Sequence, residues 1–224
     1  MVKSFVGKFL SRNYFFIFFY LAAAILTFGK LPFTYFLQDE WLIIGTYLYF
    51  DKANLDWFER LFTYGQNTHT IPLSGLTSYL QFELFRLNFF LYGASAIIIH
   101  LINAILVHHL SFLLLRNRIL SFISGFLFLA TSISHQGFTW IATTIGTSFS
   151  TLFLLLSLIF FTVYLNKTIL HRRYLIVSTV FLTISLLFKE ISIFIFLFFP
   201  AFWFIYKRED FKKGKMTFMI LFSA

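Results

Sequence analysis

The sequence contains no cysteine, three prolines, and charged residues at only 12% of its 224 positions. The absence of cysteine excludes disulfide bonds, thiolate metal sites and cysteine nucleophiles. The shortage of charge excludes an ordinary soluble domain, in which about a quarter of the residues are charged. The chain is instead 59% hydrophobic, with 36 phenylalanines and a mean hydropathy of +0.82. This composition predicts an all-α polytopic membrane protein.

Long apolar runs predict the transmembrane helices, because about 20 apolar residues are needed to cross a bilayer. We expect six to seven crossings. The runs cover residues 14–29, 87–115, 119–134, 138–165, 174–188, 191–206, and a last stretch from residue 216 to the chain end. The chain is therefore expected to form a single transmembrane domain over residues 1–224 that is incomplete at its C-terminus.

The distribution of basic residues predicts the orientation of these helices. Lys and Arg cluster before the first run, after the second, after the fourth and after the sixth. The connections between these clusters are acidic or carry no Lys or Arg. Because basic loops stay in the cytoplasm, we expect a cytoplasmic N-terminus. The net charge of +9 then reflects cytoplasmic loops, and no nucleic-acid partner is expected.

The first outer loop, residues 41–86, is too long for a simple turn. Its segment "DWFERLFTY" has apolar side chains at helical spacing opposite charged ones, which predicts a helix lying in the membrane interface. The segment "PLSGLTSYLQFELFRL" predicts a second helix, with Pro72 at its first position.

Two adjacent carboxylates, Asp39 and Glu40 in "FLQDEW", stand at the outer mouth of the first crossing. A carboxylate there can accept a proton from a hydroxyl nucleophile or help to bind a divalent cation. We therefore predict that Asp39 and Glu40 are catalytic, and a divalent cation (Mg²⁺ or Mn²⁺) near Asp39 is compatible with the pair. The alternative is two solvated acids that end a helix.

A second charged pair, Lys189 and Glu190, separates the fifth and sixth runs. Each run has about 15 residues and spans about 22 Å, less than the roughly 30 Å of the hydrocarbon layer. A single helix over both runs would put two basic loops on opposite sides of the membrane, so we expect a hairpin. Because its arms are short, we expect its tip to lie below the outer surface, in the wall of an outward-facing cavity. Lys189 would neutralise a phosphate there, and Glu190 would orient it or bind a sugar hydroxyl. The alternative is a self-compensating pair that caps the hairpin.

Three more side chains are candidate substrate contacts. His69 in "HTIPL" would face the same cavity, Trp140 would stack on a sugar or a lipid chain, and His100 with Asn103 would bind a headgroup. Each has an ordinary alternative: a loop histidine, an interfacial anchor, or hydrogen bonds between neighbouring helices. No zinc site is predicted from the histidines of the second run, because His100 and His108 are two turns apart.

The order of these motifs resembles that of a known family. Acids follow the first crossing, and "HTIPL", "HLINAIL", "FTWIAT" and "FKE" come after them, over roughly residues 10–205. This order is similar to that of the GT-C glycosyltransferases, above all the protein O-mannosyltransferase-like and related bacterial families. The resemblance implies that Asp39 is the catalytic acid of the first outer loop, with Glu40 as its neighbour, and that Lys189 lies near a lipid phosphate.

The same resemblance implies a function. It is transfer of a hexosyl or mannosyl group from a polyprenyl-phosphate carrier to a glycan, lipid or protein acceptor. The site would lie on the outer, periplasmic side of a bacterial plasma (inner) membrane, in contact with the lipid bilayer and with room for a partner subunit.

Four positions depart from the family pattern. Relatives often carry Arg and Asp shortly after the Trp of "FTWIAT", where this chain has Thr144 and Gly146. Many have a Pro and an acid before that Trp, where this chain has Ser134 and Gln136. These departures leave open a changed donor site or a catalytically dead relative.

A non-enzymatic transport or scaffold subunit is the competing class. A transporter would place ionisable groups near the bilayer centre on several helices. Apart from His100, the ionisable groups of this chain gather at the ends of the predicted crossings, which favours an enzyme with a site near the membrane surface.

Overall fold

The computed structural model describes residues 2–53, 71–131, 136–166, 172–195 and 199–201, and over these ranges the chain is helical and contains no β-strand. The helices are α1 (Val2–Phe28), α2 (Gln38–Ala53), α3 (Pro72–Phe85), α4 (Phe89–Leu115), α5 (Arg118–Ala130), α6 (Gln136–Thr139), α7 (Ile141–Asn166) and α8 (Arg172–Phe188). Two 3₁₀ helices cover Leu31–Phe33 and Glu190–Phe194, and a π-helical turn within α7 covers Ile145–Phe149.

The predicted all-α class is confirmed for the described residues, and three helical stretches are long and apolar enough to cross a membrane. They are Phe15–Phe33, Phe89–Leu115 and Ile141–Asn166. Of two further expected crossings, α5 with 13 residues is shorter than the roughly 17–25 residues that cross a bilayer, and α8 with 17 lies at the lower limit of that range. The sixth expected crossing is described only in part, and the seventh lies outside the described residues. The number of crossings, six to seven, stays a prediction.

Apolar side chains cover the outside of the helices, and polar ones lie between them. Leu26 is 86% exposed and Ile119 68%, whereas Asn103 is 1% exposed and Ser157 is fully buried. In water this distribution would be unfavourable. In lipid it is expected, because small and polar residues hold helices together while large apolar ones face the hydrocarbon.

Helix α4 lies between α1, α5 and α7. Helix α1 runs antiparallel to it, since the Tyr20 hydroxyl lies 2.8 Å from Nδ1 of His108 and the ring of Phe28 lies against that of His100. Helix α5 follows α4 after a short turn and also returns antiparallel, so that the Leu129 carbonyl lies 3.1 Å from Nε2 of His100.

Helix α7 runs parallel to α4. Ile141 shares an apolar cluster with Ala96, and seven residues further along both helices Nδ2 of Asn103 donates to the carbonyl of Ser148 at 2.9 Å. This carbonyl lies in the π-helical turn, where the regular hydrogen-bond ladder of the helix is interrupted.

Because the helices run in these directions, the basic turns and the predicted site residues lie at opposite ends of the helix bundle. Arg116 and Arg118 lie in the α4–α5 turn, and Arg172 begins α8 at the same end. Glu40 and Lys189 contact the first turns of α7, at the opposite end. The contacts therefore place basic turns and site residues at opposite ends, as the alternating charges predict, while the side of the membrane on which each end lies stays a prediction.

Paired serines join α7 and α8. Ser150 and Ser185 exchange hydroxyl-to-carbonyl hydrogen bonds of 3.1 and 2.7 Å. One heptad along, Ser178 donates to the carbonyl of Ser157 at 2.9 Å. Hydroxyls at this spacing let the helix backbones approach closely and bond across the interface. The end of α8 is thereby fixed against α7.

The chain reverses direction after α8, at Lys189. The hydroxyl of Ser192 lies 2.7 Å from that of Ser150, near the start of the long α-helical part of α7. The Phe199 ring then packs on Phe161, with ring centroids 4.5 Å apart, three turns further along the same helix. The polypeptide thus runs back alongside α7, which agrees with the hairpin expected at "FKE".

A close contact at Gly93 positions the approach to α2. A Cβ atom at Gly93 would lie 2.7 Å from Cα of Pro32, in the 3₁₀ turn that precedes the helix. We predict that Gly93→Ala displaces this turn and lowers the free energy of unfolding by about 1–3 kcal/mol, as overpacking commonly does. Thermal unfolding in detergent micelles, followed by circular dichroism, measures the change.

Gly45→Ala is the matched control. Gly45 is an exposed residue within α2, and a Cβ atom there would meet nothing within 4 Å. Because alanine is favoured over glycine inside a helix, this change should stabilise the protein by roughly 0.5–1 kcal/mol. Equal effects of the two substitutions would show that the contact between Gly93 and Pro32 does not matter.

Candidate functional site

The two acids lie in the first turn of α2, which begins at Gln38. They do not end a helix, as the solvated-acid alternative supposes, but begin one, where negative charge is favoured by the helix dipole. Asp39 is exposed, whereas Glu40 is only 4% exposed. The neighbouring carboxylates therefore occupy different environments.

Glu40 ties two helices together. Its Oε1 accepts a hydrogen bond of 2.7 Å from the backbone N–H of Ile141, the first residue of α7, and its Oε2 accepts one from the backbone N–H of Leu37. Both donors belong to helix N-terminal regions that have no partner within the helix. Oε1 thus holds α2 against α7, and Oε2 caps the start of α2 itself, which leaves Asp39 as the carboxylate that faces outward.

A small cavity, partly open to its surroundings, lies beside Glu40 between α2, α3, α4 and α7. Aromatic and aliphatic side chains form most of its wall, among them Phe36 and Tyr47. Ser78 and Gln81, both on α3, add polar groups, and Gln81 donates to the Ser95 hydroxyl at 3.3 Å. An apolar chain with few polar groups fits this lining better than a polyhydroxylated ring does.

Lys189 reaches α7 from the reversal after α8. Its Nζ donates to Oγ1 of Thr147 at 3.2 Å, and it has no carboxylate within 4 Å among the described residues. The side chain passes over Gly146, where an added Cβ would lie 3.8 Å from Cδ of Lys189 and 3.3 Å from Oγ of Ser74. The glycine at this position therefore leaves room for Ser74 of α3, whereas the distance to the lysine is an ordinary contact.

Aromatic stacking fixes the backbone next to this lysine. The ring of Phe188 stacks on Phe149 and Phe153 of α7, with centroid distances of 5.3 and 5.5 Å. The Lys189 backbone N–H closes α8 by donating to the Ser185 carbonyl at 3.0 Å. The lysine thus extends from a rigid turn rather than from a loose loop.

The site brings together several residues predicted from the sequence. Trp140 precedes Ile141 and starts α7, and its indole Nε1 is buried without a hydrogen-bond partner in the described part of the chain. Glu190 follows Lys189 as the exposed first residue of a 3₁₀ helix. Both therefore lie at the end of the bundle that holds Glu40.

Of the predicted residues with a described placement, His100 is not joined to the site. His100 is buried, its Nε2 lies 3.1 Å from the Leu129 carbonyl, and its ring packs against Phe28 and Phe128. It faces α1 and α5, where it acts as an interhelical contact. His69 lies outside the described residues, as does the helix predicted from "DWFERLFTY".

Thr147, Ser74 and Ser78 contribute to the site but were not predicted. They are uncharged, and only their spacing gives a signal: Ser74 and Ser78 are four residues apart and therefore share a face of α3. Among residues with a described placement, no three His, Asp or Glu side chains cluster as metal ligands.

Comparisons with protein-family models, with curated proteins and with solved structures found no match to this chain. The likeness to GT-C enzymes therefore rests on the order of the sequence motifs.

Proposed function

We propose that this protein is an integral-membrane glycosyltransferase of the GT-C kind, which moves a sugar from a polyprenyl-phosphate carrier to an acceptor on the outer face of the membrane. The observation that carries the proposal is that Glu40 and Lys189, which are far apart in the sequence, both form hydrogen bonds to the first turns of α7. Glu40, next to Asp39, bonds to Ile141, and Lys189 bonds to Thr147, which is about 9 Å further along the helix.

Asp39 is the proposed general base. It is exposed at the start of α2, and the hydrogen bonds of its neighbour Glu40 hold that start in place. The acceptor hydroxyl oxygen attacks the anomeric carbon while Asp39 takes the hydroxyl proton. The bond between the anomeric carbon and the phosphate oxygen breaks, polyprenyl phosphate leaves with the electron pair, and the anomeric configuration inverts.

Lys189 is the proposed partner of the donor phosphate. Lys189 is half-buried, and its described contact is a neutral hydroxyl, Oγ1 of Thr147. A cation held in such surroundings stabilises the negative charge that develops on a leaving phosphate more strongly than it would in water.

The cavity beside Glu40 is the proposed place for the first isoprene units of the carrier. Its lining is mostly apolar, and Ile145, which belongs to it, is adjacent to the glycine over which Lys189 passes. A lipid tail entering between helices would thereby leave its phosphate near the lysine and its sugar toward the exposed Asp39.

The placement of the histidines favours an enzyme over a transport subunit. Within the described candidate spans, buried histidines occur on α4 only, at positions 100, 108 and 109. His108 bonds to the Tyr20 hydroxyl and His100 lies against a backbone carbonyl, as expected of contacts between helices. A pathway across the membrane would call for ionisable groups on several helices.

The proposal is tested by binding. We expect purified wild-type protein to bind at least one member of a panel of polyprenyl-phosphate sugars, and Lys189→Met to bind it about 10- to 100-fold more weakly, because a charge-assisted contact with phosphate is lost. The matched control is Lys52→Met, which removes an exposed lysine from the last turn of α2. Equal affinity of Lys189→Met and wild type would overturn the phosphate role, and absence of binding to any donor would contradict the proposed function.

A further inference from the structure

The turn between α4 and α5 carries two cations surrounded by exposed apolar side chains. Arg116 and Arg118 are both exposed, with Asn117 between them. Immediately beside them, Leu115 is 52% exposed and Ile119 68%. Charged groups directly next to large exposed apolar ones are typical of the boundary between hydrocarbon and lipid headgroups.

Hydrogen bonds fix the backbone of the turn from which both arginines extend. Arg116 adopts the left-handed conformation (φ 54°), and its backbone N–H ends α4 by donating to the Phe112 carbonyl at 3.0 Å. The side chain of Asn117 accepts hydrogen bonds from the backbone N–H groups of Ile119 and Leu120. Because Asn117 is engaged with the helix, the arginines are the groups left to meet a ligand.

No acid neutralises this turn from nearby in the sequence. The chain has no Asp or Glu before Asp39, and none between Glu83 and Glu190. Helix α1 runs antiparallel to α4, with Tyr20 beside His108. Arg12 precedes Tyr20 by as many residues as Arg116 follows His108, so the backbones of Arg12 and Arg116 lie at the same level of the bundle. A third basic position therefore lies at this end.

We propose that the turn at Arg116 and Arg118 is a binding site for an anionic phospholipid headgroup. The guanidinium groups bind the phosphate, since the arginine fork matches phosphate oxygens. The acyl chains lie along Leu115 and Ile119, which suits a lipid and would serve no purpose for a soluble acidic partner. This inference is independent of the proposed glycosyl transfer.

The test uses the full chain in nanodiscs of equal parts phosphatidylglycerol and phosphatidylcholine. The lipids retained after extraction in mild detergent are counted by mass spectrometry. We expect the wild type to retain phosphatidylglycerol preferentially, and Arg116→Asn with Arg118→Gln to lower that ratio by about fivefold for each guanidinium removed. Asparagine is chosen at position 116 because it tolerates the left-handed conformation.

Two controls separate this site from general charge effects. Arg116→Lys with Arg118→Lys keeps both charges and should keep most of the preference. Arg86→Gln removes an exposed arginine at the other end of α4 that is already paired with Glu83 and Asp51, and should leave the ratio unchanged.

An unchanged ratio in the double variant, or an equal loss in Arg86→Gln, would overturn the proposal. If the variants fail to fold, the salt dependence of the lipid ratio in the wild type still tests the proposal. Salt at about 1 M shortens the screening length to roughly 3 Å, so it should remove the preference. A ratio that survives high salt would also overturn the proposal.

Discussion

Asp39→Asn is expected to lower the rate of sugar transfer by about 10²- to 10⁴-fold, the usual contribution of a general base. Asparagine has nearly the same shape but cannot take the proton of the attacking hydroxyl. Asp39 is exposed, so the fold loses only its interaction with the dipole of α2, worth about 0.3–1 kcal/mol. Initial rates of label transfer from a polyprenyl-phosphate sugar, at saturating donor, measure the effect.

The matched control for this change is Asp51→Asn. Asp51 lies near the other end of the same helix, is exposed, and has a carboxylate oxygen 3.7 Å from the Arg86 guanidinium. Its substitution should leave transfer within about twofold of wild type, because an exposed ion pair contributes little. Transfer by Asp39→Asn at the wild-type rate would remove Asp39 from the mechanism.

Glu40→Ala is expected to act on stability instead. It leaves the backbone N–H groups of Leu37 and Ile141 without their acceptor, and the buried donor of the two, that of Ile141, costs about 1–3 kcal/mol when unsatisfied. We therefore predict a loss of about 1–3 kcal/mol in the free energy of unfolding, measured by titration with SDS in mixed micelles. Glu40→Gln should lose roughly half as much, because one of its two oxygens is retained.

Glu83→Ala provides the comparison for that measurement. Glu83 is also a helical glutamate, but its partner is the exposed guanidinium of Arg86 at 2.5 Å. Its removal should cost at most about 1 kcal/mol. If Glu40→Ala unfolded at the same SDS fraction as Glu83→Ala, the carboxylate would not be joining α2 to α7. A loss of transfer rate in Asp39→Asn together with a loss of stability in Glu40→Ala would assign a chemical role to Asp39 and a structural role to Glu40.

The helical elements of this fold could be predicted from the sequence because their signals are local. The apolar run at 87–115 predicted α4 to within two residues, since no charge interrupts it. Pro72 was expected to open a helix and does so. The reversal at Lys189 was expected because a single helix over residues 174–206 would put two basic loops on opposite sides of the membrane.

The contacts of the site could not be predicted, because they join residues far apart in the chain. The bond from Ile141 to Glu40 spans 101 positions, and that from Lys189 to Thr147 spans 42. Nothing in "QDEW" distinguishes an exposed acid from a buried one, since the difference comes from where α7 begins. Gly146 appeared only as a departure from a family pattern, and the approach of Ser74, whose Oγ would lie 3.3 Å from an added Cβ, gives a physical reason for a small residue.

The central claim is that this chain removes a sugar from a polyprenyl-phosphate carrier, and donor consumption tests it most directly. Wild-type protein in liposomes would be incubated with each of a panel of polyprenyl-phosphate sugars and an envelope extract as the source of acceptors. Released polyprenyl phosphate would be quantified by mass spectrometry. The account predicts that the wild type consumes at least one donor, with inversion at the anomeric carbon, and that Asp39→Asn consumes almost none. Full recovery of every intact donor from the wild-type reaction, or equal consumption by Asp39→Asn, would contradict it.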